Sequence, residues 1–267
     1  MFQSPDFDAC AIAIEMAEAA RAAIAPHFRA LKHIENKQDD RSFDPVTEAD
    51  RAAERAMRAV LAERRPQDAI LGEEYGTQSG SSGWTWYLDP IDGTRAFVAG
   101  LPVWTSLIGL VNADQDAVVG LIDQPTLDER YIGWPGGAEL HTSAGTHALH
   151  VSACRDLREA IISTTDPFIL TPAEQGAWTH LRATARIVRY GLDAYAYARL
   201  AAGTVDLIAE AGLAPYDTAA LLPVVRGAGG LACDWRGEQA KPGGQLVCAA
   251  SQEILDQALI SLRRSAV

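Results

Sequence analysis

Hydrophobic and polar positions follow a helical period at the start of the chain. From Phe7 to Leu31, apolar residues recur every three or four positions, which predicts an amphipathic helix that Pro26 bends or splits. The polar stretch KQDDRSFDP predicts a loop. Helical spacing then resumes in VTEADRAAERAMRAVLAERRP and stops near Pro66. The first quarter of the chain is therefore expected to form two helices.

Short apolar runs come next and predict strands. AILGEEYG is typical of a buried strand that ends in acids and a glycine, and residues 76–83 predict a flexible connection. A strand is expected over Trp84–Leu88. The runs SLIGLV, AVVGLID and ERYIGW are separated by turn-forming residues, which indicates an antiparallel meander.

Strands and helices alternate after about residue 150. AIISTTD and ARIVRYG predict strands around a helix near residues 174–185, DAYAYARLAAG predicts a helix, and VDLIAEA predicts a strand. DTAALLPVVRGAGG then predicts one helix, and the remaining chain a strand and a helix. We therefore expect an N-terminal α+β part over residues 1–149 and a C-terminal α/β part over residues 150–267.

Composition excludes several classes of protein. The 35 acidic and 23 basic residues give a formal charge of −12, which disfavours a nucleic-acid partner. The four cysteines lack CxxC spacing, so neither a zinc site nor a disulfide framework is expected, and a reducing cytoplasm fits best. The N-terminus lacks the features of a signal peptide, and no apolar run reaches the roughly 18 residues of a membrane span, so no membrane partner is expected.

Four acidic clusters stand out: DPVTEAD, GEE, DPIDGT and PYDTAA. Three of them lie where an apolar strand gives way to a loop or helix, and ligands collect at such strand ends in open α/β sheets. If the strands are adjacent, their carboxylates converge. Carboxylates without His or Cys suit hard cations such as Mg²⁺. Gly93 and Thr94, in the first turn of a helix after DPID, could hold a phosphate.

Each cluster also has a simpler structural interpretation. Asp92 alone could be a helix N-cap, and Thr47 with Asp50 resembles a capping box. The pair Glu73 and Glu74 could be a solvated strand end. The residues by themselves leave these interpretations open.

All four clusters, in this order and spacing, resemble the inositol monophosphatase family over nearly the full chain. WYLDPIDGT is the most specific of these motifs. The resemblance implies a layered αβαβα sandwich of the inositol monophosphatase-like sugar phosphatase type, within the α+β or α/β class. It also implies a phosphomonoesterase that uses two or three Mg²⁺ ions, is sensitive to lithium, and forms a homodimer. The implied partner is a small-molecule phosphate monoester.

The resemblance also assigns roles to residues. It implies that Asp50 and Thr94 activate the attacking water together with Glu73, that Glu74 and Thr47 lie behind the metal ligands, and that Gly93, Thr94 and Glu210 contact the substrate. The implied metal ligands are Glu73, Asp89, the Ile91 carbonyl, Asp92 and Asp217. The family's lysine before the first cluster is displaced here to Lys37, so its reach into the site stays open.

Within the family, the chain looks most like the histidinol-phosphatase branch, for example in DAYAYARLAAG. Asp193 aligns with a substrate-pocket position and could pair with the cationic amine of L-histidinol phosphate. It could equally be a helix N-cap. Two alternatives are an inositol-1-phosphatase with broad phosphatase activity and a family member that acts mainly as a binding or regulatory protein.

Overall fold

The computed structural model describes residues 6–30, 35–36, 45–46 and 48–267. The helices in these ranges are α1 (Asp6–Ile24), α2 (Glu48–Arg64), α3 (Thr94–Val98), α4 (Pro172–Thr184), α5 (Tyr195–Ala201), α6 (Pro215–Ala219), α7 (Leu221–Gly227) and α8 (Gln252–Leu262). Short 3-10 helices cover Pro125–Leu127 and Arg263–Ser265. None of the helices in the described ranges combines the length and the apolar character that a bilayer crossing requires.

Fifteen strands occur in the same ranges. They are β1 (Glu35–Asn36), β2 (Pro45–Val46), β3 (Ala69–Gly72), β4 (Gly76–Gln78), β5 (Thr85–Asp92), β6 (Thr105–Val111), β7 (Ala117–Gln124), β8 (Glu129–Trp134), β9 (Gly137–Thr142), β10 (Gly145–Ala148), β11 (Ile161–Ser163), β12 (Ile187–Arg189), β13 (Leu207–Leu213), β14 (Leu231–Cys233) and β15 (Gly244–Ala249).

The first large sheet has eight strands in the order β10-β9-β8-β7-β6-β5-β3-β4. Strands β5 to β10 follow one another as antiparallel neighbours, which confirms the predicted meander. β3 runs parallel to β5, so the C-terminal ends of these two strands reach the same edge of the sheet. The hairpin of β9 and β10 was not predicted, because β10 is exposed along its length and the apolar positions of β9 are limited to Ala138 and Leu140.

The second large sheet has five strands in the order β12-β11-β13-β15-β14. β11 pairs in parallel with β12 and β13, while β15 is antiparallel to β13 and β14. β14, with three residues, was not predicted. The predicted domain division near residue 150 stays a prediction.

The helices cover the two sheets in alternating layers. Met16 of α1 and Met57 of α2 pack with Trp86 and Leu121 on one face of the first sheet. On the other face of that sheet, α5 and α7 form a middle layer that also contacts the second sheet. α4 and α8 cover the outer face of the second sheet. The expected αβαβα sandwich is therefore confirmed.

Alternation within single strands makes this layering possible. In β13, Leu207 and Ala209 lie in the outer core, whereas Ile208 lies in the middle core. Successive side chains of a strand point to opposite faces. A strand that is apolar at consecutive positions can therefore be covered by helices on both sides.

Proline positions shorten two of the predicted helices. α1 ends at Ile24, and residues 25–29 form turns rather than continuing the helix to residue 31, because Pro26 cannot donate a helical hydrogen bond. The single helix predicted from Asp217 is two short ones, α6 and α7, which begin at Pro215 and Leu221. The second correction matters for function, since α6 carries Asp217.

Candidate active site

One cavity of about 240 Å³ lies where strand ends of both sheets meet. Among the described residues that line it there is no Lys, Arg or His. The lining includes seven carboxylates, from Glu73, Asp89, Asp92, Asp166, Asp193, Glu210 and Asp217. The lining of the cavity therefore has a large surplus of acidic over basic residues.

The end of β5 brings two of these acids into the cavity. β5 runs on to Asp92 rather than ending at Leu88, and its pairing with β6 is interrupted between Asp89 and Asp92. Ser106 Oγ fills the gap by donating to the Pro90 carbonyl at 2.6 Å. Such an interruption lets a strand turn side chains toward a site that a regular strand would point elsewhere.

Asp92 does not begin the next helix, contrary to the structural interpretation of the sequence. The N-cap of α3 is Gly93, which has φ +78°. Asp92 Oδ2 instead accepts the backbone N–H of Ala194 at 2.7 Å, from the loop before α5. This bond joins the end of β5 to the C-terminal half of the chain across the cavity.

Glu73 and Asp217 approach the same place from different elements. Glu73 lies in the turn after β3, where its N–H donates to the Leu88 carbonyl at 3.1 Å, and it lines the cavity together with Asp89. Asp217 lies in the first turn of α6, and its Oδ2 accepts the Ala214 N–H at 2.7 Å. The convergence expected from adjacent strand ends is therefore present in the structure.

Burial and mutual repulsion raise the pKa of these acids. Removal from water raises the pKa of Asp89 first, and the charges of Glu73, Asp92 and Asp217 raise it further. Burial also raises the pKa of Asp217 to about 7, although the Ala214 N–H lowers it. The pKa of Asp92 is raised by burial and by Asp193 and Asp217. A cation would relieve this unfavourable charge.

The carboxylate oxygens of the cavity are suitable ligands for a hard divalent cation. Within the described ranges, no three or more His, Cys, Asp or Glu side chains are already arranged to hold an ion. One oxygen each of Asp92 and Asp217 is taken by a backbone N–H, which leaves the second oxygen of each for another partner. Carboxylates in an otherwise uncompensated cavity are the ligands that Mg²⁺ prefers.

The residues expected to activate water have different positions. Thr94 lines the cavity, and its hydroxyl donates to the Ile91 carbonyl at 3.0 Å. Asp50 is buried in the first turn of α2 and is not among the residues that line the cavity. Glu74 also lies outside the lining. Thr47 and Lys37 lie outside the described residues.

Asp193 lies directly over Gly93. A Cβ at Gly93 would be 3.2 Å from Asp193 Oδ2, and the positive φ of Gly93 also favours glycine there. The N-cap of α5 is Ala194, without a side-chain cap, so the capping interpretation of Asp193 is wrong. Burial raises the pKa of Asp193 to about 6, and the charge of Arg95 lowers it.

Glu210 is held by two residues that the sequence analysis missed. Its Oε1 accepts the N–H and the hydroxyl of Thr165 at 2.8 and 2.6 Å, and its Oε2 accepts the Tyr197 hydroxyl at 3.0 Å. Thr165 follows β11, so the strand-end rule that found the acids could also have found it. Tyr197 looked like an ordinary apolar position of α5 and gave no signal.

The sequence model of the inositol monophosphatase family matches residues 8–267. The chain belongs to this family. It is 38% identical over 263 residues to the chloroplastic bifunctional phosphatase IMPL2 of Arabidopsis thaliana, covering 94% of this chain and 74% of the relative. It is 36% identical over 252 residues to a histidinol-phosphatase of Streptomyces coelicolor, covering 90% of each chain.

Solved structures agree with this assignment. An inositol monophosphatase from Zymomonas mobilis superposes with a TM-score of 0.86 at 35% identity, covering 97% of this chain and 99% of that one. Membership of this phosphatase family supports a phosphoric monoester hydrolase that is metal-dependent and acts on a small-molecule phosphate.

Proposed function

We propose that this protein is a Mg²⁺-dependent phosphomonoesterase whose preferred substrate is L-histidinol phosphate. The observation that carries the catalytic part is the acidic cavity, in which Glu73, Asp89, Asp92 and Asp217 converge and no described lining residue supplies a positive charge. A phosphate monoester dianion would be repelled from such a cavity unless cations were bound there first. Bound Mg²⁺ supplies that charge and lowers the pKa of a water molecule.

The chain's own residues have distinct tasks in this proposal. Glu73, Asp89, Asp92, Asp217 and the Ile91 carbonyl would hold two or three ions. Thr94 and Glu73 would orient the attacking water and accept its proton, with Asp50 supporting them from outside the cavity lining. Gly93 and Thr94 would hold the phosphate through their backbone N–H groups, with Thr47 and Glu74 supporting the ligands from behind.

Two acids support the choice of substrate. Asp193 and Glu210 both line the cavity, and the carboxylate of Glu210 is held by the uncharged groups of Thr165 and Tyr197. Asp193 lies beside Gly93 and so borders the place proposed for the phosphate. A substrate with a phosphate at one end and an amine at the other would satisfy both regions. The likeness to a histidinol-phosphatase supports the same choice.

An inositol-1-phosphatase with broad activity is the second candidate. The likeness to the Zymomonas mobilis inositol monophosphatase favours it, at an identity close to that of the histidinol-phosphatase. Glu210 could accept a hydroxyl of a polyol as well as an amine. The metal-binding acids would have the same role in either case.

A panel of phosphate esters tests the proposal. Phosphate release would be measured on L-histidinol phosphate, inositol 1-phosphate and glycerol phosphate with Mg²⁺, and after removal of divalent ions with EDTA. We expect the highest kcat/KM on L-histidinol phosphate and no activity with EDTA. A preference for inositol 1-phosphate would contradict the substrate assignment alone, whereas activity in EDTA would contradict the metal-dependent mechanism.

We also propose a homodimer, as the resemblance implies. Leu101, Phe168 and Tyr190 line one surface cavity and are 53%, 85% and 37% exposed, an apolar surface that a second copy would cover. Size-exclusion chromatography with light scattering tests this directly. A wild-type mass of one chain would contradict it.

A further inference from the structure

One fully buried carboxylate, that of Glu54, lies outside the cavity lining. Glu54 lies in α2, one turn of helix after Asp50. Buried carboxylates are retained in proteins only when donors compensate for the lost water. We propose that Glu54 is a positioning residue that fixes the turn carrying Glu73, an inference that rests on the metal site proposed above.

The carboxylate of Glu54 binds the backbone of that turn directly. Its Oε2 accepts the N–H of Glu74 at 2.7 Å, and its Oε1 accepts the N–H of Tyr75 at 3.2 Å. The same Oε1 accepts Nε of Arg58 at 2.8 Å, so the charge is paired. Glu54 therefore replaces water as the hydrogen-bond partner for the two residues that follow Glu73.

The turn is closed from both sides around this carboxylate. Arg58 Nη2 donates to the Gly76 carbonyl at 2.6 Å, beyond the turn. Before the turn, Gly72 packs so closely on Glu54 that a Cβ there would lie 2.0 Å from Oε1. Only glycine therefore fits at position 72 without displacing the carboxylate.

This arrangement fixes a residue that repulsion would otherwise displace. Glu73 lines the cavity together with Asp89 and five other acids, and like charges repel there. Its own backbone N–H is bound to the Leu88 carbonyl, and the next two N–H groups are bound to Glu54. Groups that orient metal ligands in this way affect metal affinity about 10- to 100-fold when they are removed.

The test measures cation binding rather than activity. Mn²⁺ would be titrated into metal-free protein and followed by the electron paramagnetic resonance signal of free Mn²⁺, with Tm measured on the same samples. We expect the Mn²⁺ Kd to rise about 10- to 100-fold in Glu54→Ala. Gly72→Ala should raise it similarly, because the new methyl group displaces the carboxylate. Glu54→Gln keeps one acceptor oxygen and should show a smaller rise.

The controls separate positioning from stability. Glu63→Gln removes an exposed carboxylate from the same helix and should leave the Mn²⁺ Kd unchanged. If Glu54→Ala does not fold, Glu54→Gln and Gly72→Ala decide the question. A lower Tm with an unchanged Mn²⁺ Kd in the folded variants would overturn the proposal and leave Glu54 a purely structural residue. Absence of Mn²⁺ binding by the wild-type protein would overturn the metal site itself.

Discussion

Asp193 is the residue on which the choice of substrate depends. It lies over Gly93 in the cavity, and burial raises its pKa to about 6, so it is mainly ionised at neutral pH. A charge-assisted hydrogen bond contributes about 1.5 to 3 kcal/mol. Asp193→Ala should therefore lower kcat/KM for L-histidinol phosphate roughly 10- to 100-fold and should change hydrolysis of glycerol phosphate little.

Asp193→Asn is the matched variant for that measurement. It keeps the size of the side chain and removes the charge, so it should lose nearly as much activity on L-histidinol phosphate as Asp193→Ala. Equal losses on both substrates would instead mean that Asp193 maintains the shape of the loop.

The hydroxyl of Thr94 could have a catalytic or a structural role, and a substitution distinguishes the two. Its bond to the Ile91 carbonyl is a local contact, and loss of such a bond costs about 1 kcal/mol. If the hydroxyl also orients the attacking water, Thr94→Ala should slow turnover roughly 10²-fold at saturating Mg²⁺ with a small change in Tm. Thr94→Ser should retain most of the activity.

Thr179→Ala is the control for Thr94. Thr179 donates to the Gln175 carbonyl at 2.7 Å in an exposed part of α4, and it is not among the residues that line the cavity. Its loss should leave turnover unchanged. A Thr94→Ala enzyme with normal turnover and a lowered Tm would assign Thr94 a structural role only.

At the scale of elements, α6 and α7 depend on a glycine of the first sheet. A Cβ at Gly120 in β7 would lie 2.0 Å from the Ala220 carbonyl oxygen, between the two helices. Gly120→Ala should therefore push these helices off the sheet and lower the free energy of unfolding by about 1 to 3 kcal/mol, measured in urea. Because α6 carries Asp217, metal affinity should fall as well.

Gly176→Ala provides the comparison for Gly120. Gly176 is exposed within α4, with nothing within 4 Å of an added Cβ. This change should be neutral or stabilise the protein by up to about 1 kcal/mol, since alanine favours a helix. Similar losses in both variants would contradict the packing argument.

The elements that could be predicted from sequence are those with a strong apolar pattern. The meander strands β6, β7 and β8 were predicted because their buried residues are consecutive, and the acids at strand ends followed from sheet geometry. The polar hairpin of β9 and β10 has no such pattern. β9 forms because it pairs with the edge of β8, and β10 pairs in turn with β9. These strands therefore depend on tertiary contacts rather than on the local pattern.

The contacts around the acids could not be predicted for a similar reason. The bond from the Ala194 N–H to Asp92 joins residues 102 positions apart, and the bonds of Glu210 join β13 to α5 and to the loop after β11. A single sequence shows which residues are acidic and where strands end. It does not show which distant backbone N–H reaches each oxygen, so the capping interpretations of Asp92 and Asp193 were wrong.

At the scale of the whole molecule, the cavity acids should make stability depend on pH and on cations. The pKa of Asp217 rises from 3.8 to about 7 and that of Asp193 from 3.8 to about 6, in both cases mainly through burial. An acid with a raised pKa binds its proton more tightly in the folded state. Its contribution is therefore most favourable below pH 3.8 and is lost as pH rises through 6 and 7.

The corresponding measurement is Tm against pH with and without Mg²⁺. A cation that binds only the folded, ionised site restores stability by mass action. We expect Mg²⁺ to raise Tm more at pH 8 than at pH 5, because protons compete with the cation at the lower pH. An equal rise at both values would contradict this account of the acids.

The central claim is that the cavity acids hold the cation on which catalysis depends. The most direct test compares the wild-type protein with Asp89→Asn. Phosphate release from L-histidinol phosphate would be measured as a function of free Mg²⁺. Asp89 is 3% exposed and adjoins Glu73, so its charge should be essential for holding a cation. We predict that EDTA abolishes wild-type activity and that Mg²⁺ restores it. Asp89→Asn should require far more Mg²⁺ and turn over about 10²-fold more slowly or worse, while Asp114→Asn, at an exposed turn, should behave as wild type. Activity that survives EDTA, or an unchanged Mg²⁺ dependence in Asp89→Asn, would contradict the account.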